Sequence, residues 1–268
     1  MNTVPIHVYT SKSRGRGINF RRSFRDRRSG LTGNMLKTLG MLFMLLDHVG
    51  VALIERGILQ SGDPAALQQI LLTDSGRFWW QVDRVLRYTG RLAFPFFAFL
   101  LVEGFLHTRH QKEYGLRLLA FAVLSELPFD LAIFGELFHW DYQNVIWTLF
   151  IAYLVMLGLK KFNRNLFLQL LCTAAGCGVA YVIRSDYGAV GVLTIVLLYW
   201  FRDTGLQKPI GLVMAGLDSM DYWCVAALAY LPIWFYNEQR GEERWKYVFY
   251  VFYPAHLLIL FGIRQFFL

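Results

Sequence analysis

Two histidines and several charged residues stand inside stretches of this chain that are otherwise apolar. The first such stretch, LKTLGMLFMLLDHVG at residues 36–50, holds Lys37, Asp47 and His48. Lys37 and His48 are eleven positions apart, which at about 100° per residue is three turns plus roughly 20°, so a helix projects both from one face. They lie roughly 16 Å apart along the axis, and Asp47 points about 100° away from His48. A neutral imidazole can take a proton from an amine or a hydroxyl, with a carboxylate fixing its tautomer. It can instead carry an acyl group itself before handing it on.

Other apolar stretches add polar groups. GRLAFPFFAFLLVEGFLHTRH, 90–110, holds Arg91, Glu103, His107 and Arg109. LRLLAFAVLSELPFDLAIFG, 116–135, holds Arg117, Glu126 and Asp130, with Pro128 between the two acids. Asn144 and Thr148 open the next stretch, and YVFYPAHLLIL, 250–260, carries Tyr253, Pro254 and His256. By depth these residues fall into two groups. Lys37, His107, Arg109, Lys112, Arg117, Lys160 and Lys161 make a basic mouth, suited to an anionic donor such as a nucleotide phosphate. Asp47, His48, Arg91, Glu126, Asp130, Asn144 and His256 lie deeper, where an ionisable group in hydrocarbon points to a site. Helix–helix hydrogen bonding is the other reading of the deeper group.

The elements that must position these residues follow from composition. The chain has 268 residues, of which 56% are apolar and only 17% charged, against about 25% charged in soluble domains. Its apolar residues come in blocks of roughly 15 to 22, long enough to cross a bilayer core. No sustained period-2 alternation suggests a barrel. The expectation is an all-α, polytopic helical membrane protein of eight or nine spans. Spans are expected near 35–56, 89–107, 115–134, 144–159, 166–183, 188–201 and 246–267. One bent span or two short ones fall within 208–236, and one or two short interfacial helices within 57–88.

Charge sets the orientation. Nine of the Lys and Arg residues lie in 1–37 against one acid, Asp26, directly before the first apolar block. This marks a cytoplasmic N-terminus rather than a nucleic-acid-binding tail. Loops 107–117, 160–165 and 202–208 are basic and fall on the same side, while GELFHWDYQ and SDYG, without Lys or Arg, fall outside. Residues 1–33 are expected to be a disordered basic tail and 34–268 a single membrane domain. Cys172, Cys177 and Cys224 sit in or beside apolar runs without metal-ligand spacing, so no metal site is expected.

Taken together, LKTLGMLFMLLDHVG, GRLAFPFFAFLLVEGF running into HTR, SELPFD and FYPAHL resemble the TraX family over about 35–267. These are integral-membrane proteins named for a conjugation protein that acetylates the N-terminus of pilin. The spacing of Lys37 and His48 also resembles that of membrane acyltransferases acting on surface glycans. The resemblance implies a multi-pass protein of the bacterial inner membrane that moves acetyl from acetyl-CoA, its donor substrate, to an amine or hydroxyl acceptor. The acceptor would be pilin or a surface glycan or amine. It implies His48 as base or transient acyl carrier, Asp47 as its orienter, and Arg91 and His256 polarising the thioester or holding the acceptor. Lys37, Arg109 and Arg117 would hold the phosphates of CoA. Two other classes fit the residues alone: a proton-coupled transporter with His48, Glu126, Asp130 and His256 as relay, and a non-enzymatic membrane assembly factor.

Overall fold

The structure is a computed structural model, and it describes residues 29–241 and 246–268. Residues 31–268 form one contact unit. The expected basic tail lies outside the described residues up to 28. Among the described residues every regular element is helical, and the sole bridges are two isolated ones, Leu31 with Tyr236 and Gln143 with Ser185.

Local chemistry explains where five of the helices begin. Thr32 caps α1 (Gly33–Val49) by accepting a hydrogen bond from the Met35 amide, and Asn144 and Asn165 do the same for α6 (Val145–Lys161) and α7 (Leu166–Val182). Asp63 caps α2 (Pro64–Leu71), with Pro64 in the first turn where its missing N–H is harmless, and Thr73 caps α3 (Asp74–Gly90). After a two-residue break, α4 (Ala93–His107) continues the path of α3. Then come α5 (Gln111–Ile133), α8 (Gly188–Trp200), α9 (Gln207–Asp218), α10 (Tyr230–Trp234) and α11 (Lys246–Phe267). α1 passes without interruption into a wider, π-helical segment, Gly50–Ile58, a winding often found beside functional groups.

The core is built around α4. Phe94, Phe96, Ala98, Phe99, Leu101, Val102 and Phe105 are all buried, so this helix is enclosed on nearly every side. α1 packs on α3 and α4, α5 on α6 and α11, and α7 on α6 and α8. α1 and α4 run antiparallel, since a side chain at Gly40 would meet Phe96 and Phe97 while one at Gly90 would meet Asp47. Gly33, Leu36, Gly40, Met44 and His48 form the buried stripe of α1, spaced by three or four residues, so His48 faces the core.

Most expected boundaries fall within a few residues of the observed ones. Two regions differ. Residues 57–88 hold the short α2, but Asp74–Gly90 is a full helix lying along α1. Its inward stripe includes Asp83 and Arg87, which disguise it as polar. Residues 207–234 form two short pieces packed back on one another. The reversal uses Trp223 and Cys224, both at positive φ. Among the described residues two helical stretches, Gly33–Ile58 and Asp74–His107, are long and apolar enough to cross a membrane.

Candidate functional site

His48 on α1 and His256 on α11, 208 positions apart, meet ring to ring. His48 Nδ1 lies 2.6 Å from His256 Nε2, and the rings stack at 4.9 Å between centroids. Both are buried, 8% and 5% exposed. The outer nitrogen of His256, Nδ1, is 2.7 Å from the Phe252 carbonyl, one helical turn back. A carbonyl only accepts, so with both rings neutral Nδ1 of His256 carries the proton and its Nε2 is the acceptor. His48 must then donate from Nδ1, which leaves the lone pair on its Nε2. Pro254, two residues before His256, stands within the same turn of α11. Tyr253 lies edge-on to both imidazoles at 6.0 and 5.7 Å, with its hydroxyl buried and unpartnered.

Asp47 does not take the orienting role assigned to it. Its carboxylate pairs with Arg87 on α3 at 2.7 Å, and Arg87 also reaches Glu55 at 3.8 Å. Two adjacent residues on a helix face different directions, and the face of Asp47 is the one covered by α3. Gly90 makes that approach possible, because any Cβ there would run into the Asp47 side chain. The position that fixes the His48 ring belongs to His256 instead.

Arg91 follows Gly90 and sits over the Tyr222 ring at 4.6 Å. It lies in the field of Asp47 and Asp186. Asp186 accepts a hydrogen bond from the Tyr142 hydroxyl at 2.7 Å. Burial pushes the Asp186 carboxyl above its ordinary range, against the pull of the Tyr142 hydrogen bond and the Arg91 charge. The turn that presents Asp186 is pinned by Thr148, which donates to the Asp186 carbonyl, and by Tyr187 stacked on Phe94. Arg91 therefore belongs to a polar layer beside the histidine pair, made of Asp47, Arg87, Asp186 and Tyr142.

The three proposed phosphate-binding residues are not brought to one point. Lys37 is half-buried in the second turn of α1, within the field of Arg240, whose carbonyl caps the Asn34 amide. Arg109 is exposed on the α4–α5 turn, and Arg117 lies along α5 over Tyr114, 5.9 Å from its ring. Lys37 and Arg240 thus form a cationic pair at the start of the histidine helix. At this same end Glu103, 3% exposed, is held by Arg202 at 2.7 Å.

Glu126 and Asp130 act as fixed acceptors between helices. Glu126 takes hydrogen bonds from Asn144 at 2.5 Å and from the Trp147 indole at 2.7 Å, and Asp130 takes the His139 amide at 2.9 Å. Arg87 and Arg202 were missed by the sequence reading. A signal for Arg87 existed: it stands four positions before Arg91, a spacing that puts both on the side of the chain that meets Asp47. For Arg202 there was none, since its partner is 99 residues away.

Comparison with known proteins gives this arrangement its context. The chain is 27% identical over 257 residues to "Probable fimbrial assembly protein FimC, serogroup H1" of Dichelobacter nodosus, covering 86% of this chain and 95% of that protein. No solved structure matches the chain significantly. The family model described as "TraX protein" matches residues 32–264, a range that contains both histidines, Asp47 and Arg91, and the chain belongs to the TraX family.

Proposed function

We propose that this protein is a multi-pass membrane acetyltransferase that moves an acetyl group from acetyl-CoA to an amine or hydroxyl acceptor, with His48 as the base. The observation that carries the reading is the hydrogen bond between His48 and His256, which leaves a lone pair on Nε2 of a buried imidazole. As the acceptor nitrogen or oxygen attacks the thioester carbon, its proton passes to His48 Nε2. The tetrahedral adduct then collapses, the C–S bond breaks, and the proton returns to the CoA sulfur. His48 ends the cycle neutral, and an amide or ester and free CoA are the products.

The acceptor we assign is the amine of a pilin-type subunit. Support comes from the fimbrial-assembly name of the Dichelobacter relative and from the family. A bilayer setting is supported by the outward side chains. Leu166, Phe167, Leu170, Leu171, Val179 and Val182 are exposed along α7, as are Leu116, Val123, Leu124 and Leu127 on α5. Water would not tolerate apolar faces of this extent on a monomer. Lys37, beside Arg240, would meet the phosphates of CoA, with Arg109 and Arg117 contributing to the field at the cytoplasmic face.

The test is transfer of radiolabelled acetyl from acetyl-CoA to a pilin N-terminal peptide by the purified protein in nanodiscs. Labelled peptide from wild type and none from His48→Ala is the expected result. Equal labelling by both proteins would remove His48 from the chemistry, and no labelling by either would remove the transfer reading.

A further inference from the structure

A second feature stands on the same two helices as the histidine pair, eight residues beyond each histidine. Arg56 lies in the last turn of the π-helical part of the first helix and Arg264 in the last turn of α11. Both line a cavity of about 240 Å³ together with Gln60, Gly62, Asp63 and Phe134. Arg264 is placed firmly, since its two terminal nitrogens donate to the Leu131 and Ala132 carbonyls at 2.8 and 2.7 Å. Arg56 stands over the Phe134 ring at 5.8 Å, and its Nε is buried without a hydrogen-bond partner. The two guanidinium charges act on one another.

Among the described residues, neither arginine has a carboxylate within ion-pair distance. The carboxylate that lines the cavity, Asp63, is turned to the start of α2, where it accepts from the Ala65 and Ala66 amides at 2.9 and 3.3 Å. Two like charges held side by side at a cavity, one with an unused buried donor, are arranged for an anion that is not part of the chain. Gln60 adds a neutral side chain able to donate, and a side chain at Gly62 would come within 3.3 Å of the Arg56 guanidinium.

We infer that the Arg56–Arg264 cavity binds a phosphate group at the end of the α1–α11 seam opposite Lys37. Guanidinium forks on two different elements match the several oxygens of a phosphate better than the two of a carboxylate. The phosphate belongs either to a lipid headgroup or to a soluble phosphate or phosphate ester. This inference does not depend on the transfer reaction, because it concerns neither histidine nor the donor.

The experiment uses the full chain in detergent. Arg56 in the wild-type protein is modified with phenylglyoxal, and its modification rate is followed by mass spectrometry during titration with inorganic phosphate, short-chain phosphatidylglycerol or a short-chain diacylglycerol that lacks phosphate. Phosphate and phosphatidylglycerol are expected to slow modification of Arg56 severalfold while leaving the exposed Arg164 unaffected. Saturation by phosphatidylglycerol at far lower concentration than by inorganic phosphate identifies a lipid headgroup, and equal potency identifies a soluble phosphate. In parallel, thermal unfolding of Arg264→Gln should need about tenfold more phosphate than wild type for half of the stabilisation. Unslowed modification of Arg56, or equal protection by the phosphate-free diacylglycerol, would overturn the site.

Discussion

His48 and His256 share one hydrogen bond whose direction is set by a third atom, the carbonyl of Phe252. This chain of two rings and a carbonyl does for His48 what a carboxylate does for the histidine of many hydrolases. It holds the tautomer without placing a negative charge in a buried site.

The first prediction follows from that direction. His256→Ala should lower kcat for acetyl transfer by about 10²–10⁴-fold, within the range of general base catalysis, with little change in KM for acetyl-CoA. His256→Gln should recover part of the loss, because its amide oxygen can accept from His48 Nδ1. Steady-state kinetics on the labelled peptide check both. Equal losses in the two variants would mean that the ring serves packing alone.

Asp47→Asn should behave differently. It removes the charge opposite Arg87 without changing shape, so the expected loss is in stability, about 1–3 kcal/mol. The pH profile of kcat should match that of wild type, since His256 fixes the tautomer. A thermal melt and a pH–rate series separate the two effects. A displaced pH profile would return the orienting role to Asp47.

The Glu103–Arg202 pair gives a third prediction. Arg202→Met leaves a nearly buried carboxylate without its partner, and should destabilise by about 3–5 kcal/mol. Adding Glu103→Gln should restore most of this. Unfolding midpoints of the single and double variants measure the coupling, and additive losses would show that the pair contributes nothing beyond its parts.

Gly90→Ala should destabilise by about 1–3 kcal/mol, because the new methyl group would run into Asp47 and part α1 from α3. Gly178→Ala on α7 is the control: nothing lies within 4 Å of the position, and alanine favours the helix. The expected order of melting temperatures is Gly178→Ala at or above wild type, and Gly90→Ala below it.

The helices were legible because each apolar block is bounded by a cap or a turn residue: Thr32, Asn144 and Asn165 mark starts that the hydropathy pattern also marks. Asp74–Gly90 was hidden because its buried face carries Asp83 and Arg87, and a polar inward stripe mimics an interfacial helix. The two histidines could be picked out singly, as ionisable groups in apolar runs. Their pairing could not be read, since it depends on α11 lying against α1 across 208 positions. The sequence neighbour of His48, Asp47, was the natural partner to choose. Neighbours on a helix diverge by about 100°, and that angle gave Asp47 to α3. The basic residues were grouped by depth alone, and depth says nothing about rotation around the bundle. Lys37, Arg109 and Arg117 therefore share a level without sharing a contact.

The wide winding of Gly50–Ile58 separates His48 from Arg56. A helix wound this way holds slack, because each wide turn accommodates more residues than a regular one over the same rise. Removing one residue from the segment lets the remainder tighten to regular winding, with the flanking parts held in phase. Chain length can therefore drift here between relatives while the imidazole at one end and the guanidinium at the other keep their facing, and a one-residue deletion in 50–58 becomes a tolerated event where the same deletion in Gly33–Val49 would turn His48 out of the core.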